Sequence, residues 1–320
     1  MNNQLVTVFG ASGFLGRHTV RALAKKGYRI RAVTRRPNLA HHLPPMGHVG
    51  QIQLFKGNVH DDERVAEALR GARLAVNLTG VLFSRAEQSF EAVHVEAAAR
   101  IGKAAKAAGV QALLHVSAIG ADARSESYYA KSKAQGEAKL REGCAEATVF
   151  RPSIVFGPED HFFNRFAGLA RYLPALPLIG GGRTKFQPVF VGDVAAAIVA
   201  ALTDDRAKAN TYELGGPSVY TFRELMQFIL RETDRRRLLI SIPFSLATIQ
   251  AVFLQLFPSP LLTPDQVRLL KVDNVVAPDA LTLSNLGITP TSVEAEVPAY
   301  LWRFRPKGQY ETTTSGTSLR

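Results

Sequence analysis

The chain has 320 residues, of which 46% are hydrophobic, 21% charged and 8% aromatic. These proportions supply a full core and exclude a disordered, collagen-like or disulfide-stapled protein. A net charge of +12, from 39 Lys and Arg against 27 Asp and Glu, admits nucleic acid, an anionic surface or a phosphorylated small molecule as partner. The single cysteine, Cys144, excludes an internal disulfide and a Cys-based zinc site and reads as a small buried hydrophobe.

Met-Asn-Asn-Gln leads straight into the apolar run Leu5 to Phe9. Without a basic n-region, an apolar h-region or a small-residue cleavage site, this start points to a cytoplasmic chain with no export signal. A helical pattern through Val20, Leu23 and Ala24 follows and stops at Gly27. Further strands are expected at Arg29 to Val33, Ile52 to Lys56, Leu74 to Leu78, Ala112 to Val116 and Ala147 to Phe150. Helices are expected near Asp61 to Leu69, Phe90 to Ala108 and Tyr128 to Leu140. Strands this apolar, alternating with helices, predict an α/β fold: a doubly wound parallel sheet with a smaller C-terminal lobe. Residues 1–150 read as a dinucleotide-binding domain, and 151–306, rich in Pro/Gly loops, as a substrate or partner lobe interleaved with the sheet. The polar tail 307–320 reads as disordered.

Gly10-Ala-Ser12-Gly13-Phe14-Leu15-Gly16 sits between the first strand and the first helix. That is the context in which three glycines permit a tight turn, backbone approach to a pyrophosphate and close helix packing, with a helix N-terminus facing the anion. At the end of the second strand, where an acid would select NAD by accepting from the ribose 2′-OH, the sequence has Thr34-Arg35-Arg36. Guanidinium groups there pair with a 2′-phosphate, which points to NADPH. No Asp or Glu precedes Asp61.

Together with Tyr129-Ala-Lys-Ser-Lys133, the glycine motif resembles the short-chain dehydrogenase/reductase superfamily in its extended or atypical branch. Residues i and i+4 share a helix face, so Lys133 can hold the cofactor ribose and lower the phenol pKa while Tyr129 handles the substrate proton. Tyr128 and Lys131 at i and i+3 could share a face too, and the spacing of that superfamily is what selects Tyr129 and Lys133. Ser117, twelve residues upstream of Tyr129, suits the carbonyl-polarising serine of that superfamily. The resemblance extends to Asn77-Leu78-Thr79-Gly80, Arg151-Pro152-Ser-Ile154-Val-Phe-Gly157 and Pro188-Val-Phe-Val-x-Asp193. It implies cofactor contacts from Asn58, Val59, Leu78, Thr79, Gly80, Pro152 and Ile154. Asn58 and Thr79 depart from the Asp and Ala usual at those positions. The segments Val8 to Arg17, Pro45 to Gln51, Gly157 to Asp160 and Gln187 to Val191 are similar to the nucleotide-binding accessory subunits of respiratory complex I and their bacterial relatives. That closer likeness implies tightly held NADPH without established turnover, respiratory complex I subunits or a quinone-pathway assembly as partners, and a cytoplasmic place on the inner face of the respiratory membrane. It also extends to relatives implicated in ubiquinone biosynthesis, which leaves an NADPH-dependent reductase as the alternative.

Other chemistries find less support. His41, His42 and His48 lack helical metal-ligand spacing, and no metal is expected. No Gly-x-Ser-x-Gly elbow marks a hydrolase, and no helix-turn-helix or aromatic stacking pattern accompanies the basic residues, so no nucleic acid is expected. Gly120-Ala-Asp122 and Asp193 read as structural. His60, before Asp61-Asp62, marks a helix N-terminus whose acids favour the dipole. Leu238 to Pro264 runs 27 residues without a charge, after Arg235, Arg236 and Arg237. Its expected helix, Phe244 to Phe257, is too short to span a membrane. Leu246, Ile249, Phe253 and Leu256 share one face of it, and that face meets either a membrane surface or the core of the lobe.

Overall fold

The computed structural model describes residues 4–257 and 260–308. The expected tail therefore lies outside the described residues from 309 onward. The strands β1 (Leu5–Phe9), β2 (Arg29–Thr34), β3 (Ile52–Lys56), β4 (Leu74–Asn77), β5 (Ala112–Val116) and β6 (Thr148–Pro152) are joined by a seventh, Thr211–Leu214. All pair in parallel, in the order seventh, β6, β5, β4, β1, β2, β3. The order reverses between β4 and β1, and a crevice opens at such a switch beyond the carboxyl ends of the strands.

Helices cover both faces, as apolar parallel strands require. On one side α1 (Phe14–Lys25) and α6 (Val191–Ala201) bury Val20, Leu23, Val194 and Ile198 against the sheet. On the other, α2 (Asp62–Leu69), α3 (Ala97–Ala107) and α4 (Tyr128–Gly143) bury Val65, Leu69, Ile101 and Leu140. Asp61 caps α2 through the Arg64 amide, with Asp62 and Glu63 in its first turn, as the dipole argument anticipates. The helix expected from Phe90 begins with a π-turn, Glu91–Glu96, that runs directly into α3 and places His94 inward. A Cβ on Gly136 would stand 2.1 Å from the His94 carbonyl, so only glycine lets α4 lie this close to that turn. Cys144, at the end of α4, is half-buried.

The second lobe packs α5 (Phe163–Tyr172) and α7 (Phe222–Glu232) around an aromatic cluster of Phe156, Phe162, Phe163, Phe186 and Phe222. Asp193 accepts from the Thr291 amide and hydroxyl, and Asp122 from the Arg124 amide. Both carboxylates hold backbone amides.

The same lobe carries α8 (Phe244–Leu254) and the short α9 (Pro264–Leu269). The expectation that the large apolar face of α8 could be core is corrected. Ile249 is 58% exposed, Phe253 65% and Leu256 79%, while Ala247 and Ala251 are the residues buried, against Ile179 and Val267. Small residues four apart let α8 approach its neighbours closely, which turns the bulky face outward. Eleven residues rise about 16 Å. Among the described residues no helix is long and apolar enough to cross a membrane. Of the three arginines ahead of this stretch, Arg235 and Arg237 donate to the Phe304 and Ala170 carbonyls, which leaves Arg236 as the exposed member.

Candidate functional site

The crevice is built from strand ends. Gly10, at φ +76°, turns the chain from β1 into α1, and a Cβ on Gly16 would lie 2.2 Å from the Gly10 carbonyl, so the loop closes only around glycine. α1 begins at Gly13 with no side-chain cap and no acid in its first turn. Its leading N–H groups, from Phe14, Leu15 and Gly16, therefore have no partner among the described residues, the arrangement that suits an anion. Ser12 Oγ lies 3.1 Å from Thr34 Oγ1, a hydroxyl pair that ties the glycine loop to the end of β2. Arg35 and Arg36 follow directly, exposed and without an ion-pair partner among the described residues. The neighbouring segment 45–51 is shaped by Gln51, whose amide donates to the Ala24 and Tyr28 carbonyls and whose oxygen accepts from the His48 amide.

Asn58, exposed beyond β3, accepts from the His60 amide, and Val59 packs beside α3. At the end of β4, Asn77 organises the next turn: its oxygen accepts from the Thr79 amide and hydroxyl, at 3.1 and 2.6 Å. Its Nδ2 lies 3.0 Å from His115 Nδ1. An Asn that spends its oxygen in this way donates through Nδ2, so His115 accepts at Nδ1 and carries its proton on Nε2, which is buried and unpaired. Burial first, then the Lys133 charge, hold the His115 pKa down to about 3, and the ring stays neutral.

Lys133 and Tyr129 project from one face of α4. Lys133 Nζ donates to the Val116 carbonyl at 3.4 Å, lies 5.9 Å from the Tyr129 ring centroid, and would sit 3.2 Å from a Cβ at Gly80. The structure thus gathers Leu78, Thr79, Gly80, Ser117 and Lys133 at the ends of β4 and β5. Pro152 and Ile154 stand at the end of β6, where the Pro152 carbonyl accepts from Ile119. Ser117 Oγ is buried without a partner among the described residues. Burial lowers the Lys133 pKa to about 8, with Glu137 pulling the other way. Glu137 is itself held by Arg151 through two hydrogen bonds of 2.9 and 2.6 Å. The expectation that Lys133 lowers the phenol pKa is corrected, since burial pushes Tyr129 up to about 12. The ammonium faces the ring and desolvation prevails.

Two participants escape the sequence pattern. His94 stacks on Phe90 and meets the Tyr129 ring edge-on, its centroid 5.5 Å away. Its Nε2 accepts from the Val81 amide at 3.0 Å, and its Nδ1 lies 2.8 Å from Ser132 Oγ, which in turn donates to the Tyr129 carbonyl. This chain fixes the tautomer with the proton on Nδ1. Burial, then Lys133, bring the His94 pKa down to about 2. The second is Asp265, which reaches α4 from the C-terminal lobe. A buried histidine looks like core in a sequence, and no local motif links positions more than 130 residues apart.

The uncapped N-terminus of α1, the glycine turn that excludes a Cβ and the unpaired arginines beyond β2 fit a dinucleotide. A family model described as NAD dependent epimerase/dehydratase matches residues 6–215. Over 319 residues the chain is 35% identical to the mitochondrial NADH dehydrogenase (ubiquinone) 1 alpha subcomplex subunit 9 of Arabidopsis thaliana, with 95% of this chain and 79% of that one covered. It is 32% identical over 196 residues to a ceramide reductase of Caulobacter vibrioides, covering 61% of this chain and 60% of the relative. The Escherichia coli NADPH-dependent quinone oxidoreductase QOR2, solved with NADPH, shares the fold at a TM-score of 0.74 and 20% identity, over 93% of this chain and 99% of that chain. The chain belongs to the NAD dependent epimerase/dehydratase family, the extended short-chain dehydrogenases/reductases, and is homologous to the alpha subcomplex subunit 9 of NADH dehydrogenase.

Proposed function

We propose that this protein is an NADPH-binding accessory subunit associated with respiratory complex I, weakly catalytic or non-catalytic, in which the cofactor stabilises the fold. The observation that carries this reading is the 35% identity to the alpha subcomplex subunit over 95% of this chain. Burial, which raises the pKa of the Tyr129 phenol, supports the non-catalytic part, because a general acid works best with a pKa near the operating pH. The extent of the likeness to the alpha subcomplex subunit supports the association, because it covers 95% of this chain, including the C-terminal lobe. Phe14, Leu15 and Gly16 offer their amides to the pyrophosphate. Arg35 and Arg36 hold the 2′-phosphate, and Asn58, Val59, Leu78, Thr79 and Gly80 line the adenine and ribose. Lys133 binds the nicotinamide ribose, with Pro152 and Ile154 beside the nicotinamide. The exposed face of α8 lies against the cytoplasmic surface of the respiratory membrane or the neighbouring subunits there, with the exposed Arg236, ahead of it in the chain, as a further contact.

A second reading is favoured by one observation. The Ser117 hydroxyl, buried and unpaired, is placed to donate to a carbonyl oxygen. In that reading the protein reduces a carbonyl or quinone-pathway intermediate: NADPH supplies the hydride, Tyr129 the proton, and Ser117 polarises the carbonyl. The name of the Caulobacter relative, a ceramide reductase, supports activity on this type of scaffold. Purifying the full-length chain and assaying bound nucleotide and NADPH oxidation separates the two readings. Stoichiometric NADPH that persists in the presence of carbonyl and quinone substrates supports the subunit. Multiple turnovers that disappear in Tyr129→Phe support the reductase.

A further inference from the structure

We infer that Asp265 is a positioning residue, a latch through which the α8–α9 hairpin of the C-terminal lobe holds Tyr129 and Lys133 in place. This rests on the cofactor reading above. A helix leaves its first four N–H groups without intrahelical partners. In α1 the Gly13 amide donates to the Gly10 carbonyl and those of Phe14, Leu15 and Gly16 are left without a partner among the described residues, whereas in α4 all four are satisfied and two of the partners come from one carboxylate. The Ser127 amide donates to Ser125 Oγ, and the Ala130 amide to Ser127 Oγ. The Tyr128 amide donates to Asp265 Oδ1 at 2.8 Å, and the Tyr129 amide to Asp265 Oδ2 at 3.0 Å. Ser127 Oγ, itself buried, donates to the same Oδ2 at 2.9 Å.

The carboxylate is aimed from its own side as well. Thr263 and Gln266 form a capping box at the start of α9, and Arg268 stands 3.6 Å from Asp265 Oδ1 with its guanidinium over the Tyr128 ring. Val267, on α9, packs with Ala247 and Ala251 of α8. A continuous set of contacts therefore runs from the buried face of α8, Ala247 and Ala251, through Val267 of α9 and Asp265 to the backbone of Tyr129. A negative charge at a helix N-terminus is favourable by itself. Its particular consequence here is that the first turn of α4, which carries Tyr129 and leads into Lys133, is ordered by a lobe more than 130 residues away.

The test compares full-length wild type with Asp265→Ala by amide hydrogen exchange of the free protein and by NADPH affinity in calorimetry. The latch predicts exchange of the Tyr128 and Tyr129 amides about tenfold faster, with the later turns of α4 unchanged, and an NADPH Kd about threefold higher. Faster exchange with unchanged Kd identifies an ordinary cap and overturns the inference, as does unchanged exchange. If Asp265→Ala does not fold, Asp265→Asn, which keeps the shape and one acceptor oxygen, shows the same two changes at smaller size. A wild type that binds no NADPH overturns the cofactor reading itself, and that failure is seen before any variant is compared.

Discussion

Replacing Lys133 by Met should stabilise the free protein while impairing cofactor binding. The Lys133 side chain is 5% exposed, with a 3.4 Å hydrogen bond to Val116, and Glu137, the acid that acts on it, is engaged by Arg151. Burial brings its pKa from 10.5 to about 8, a difference equivalent to roughly 3 kcal/mol of destabilisation at neutral pH. Loss of the hydrogen bond returns about 1 kcal/mol, so Lys133→Met should gain about 2 kcal/mol in urea unfolding at pH 7. In the folded protein the ammonium gives up its proton near pH 8, and in the unfolded chain near 10.5. Unfolding therefore takes up a proton between these values. The wild type carries the full penalty below pH 8 and regains stability as pH rises toward 10.5, while the variant does not. The gap between the two narrows across that window. A variant less stable than wild type at pH 7, or a gap independent of pH, would refute the reasoning.

Three further outcomes follow from the site. Arg35→Ala and Arg36→Ala should each weaken NADPH binding about tenfold and leave NADH almost untouched, and calorimetry showing equal wild-type affinity for the two cofactors contradicts the assignment. Tyr129→Phe should retain NADPH affinity within about twofold and remove any reductase turnover, so full activity in that variant excludes Tyr129 as proton donor. Phe253→Asp combined with Arg236→Glu should leave the unfolding temperature nearly unchanged, because both side chains are exposed, yet release the protein from respiratory membranes in sedimentation. Undiminished membrane binding removes α8 from the interface.

Much of the sheet is legible in the sequence because buried parallel strands are apolar runs punctuated by glycine, as at Leu5 to Phe9 before Gly10. The seventh strand is not. Thr211-Tyr-Glu-Leu214 is short and alternating, and it becomes a strand because β6 offers an unpaired edge to it. The helix α4 and its Tyr129/Lys133 pair follow from i, i+4 spacing, but the direction of the phenol shift depends on desolvation, which a pattern does not carry. The face of α8 shows the limit of periodicity most plainly. Leu246, Ile249 and Phe253 mark an apolar stripe, and either face of the helix could have turned inward. Ala247 and Ala251 decide it, since they allow a close approach that the larger residues do not. Asp265 and His94 act through contacts between distant segments and leave no local trace.

The most direct test of the central claim is recovery of the tagged full-length protein from gently solubilised respiratory membranes, followed by identification of its protein partners and bound nucleotide. The account predicts NADH dehydrogenase subunits together with about one NADPH per chain. Recovery free of those subunits, or with NADH in place of NADPH, would contradict it.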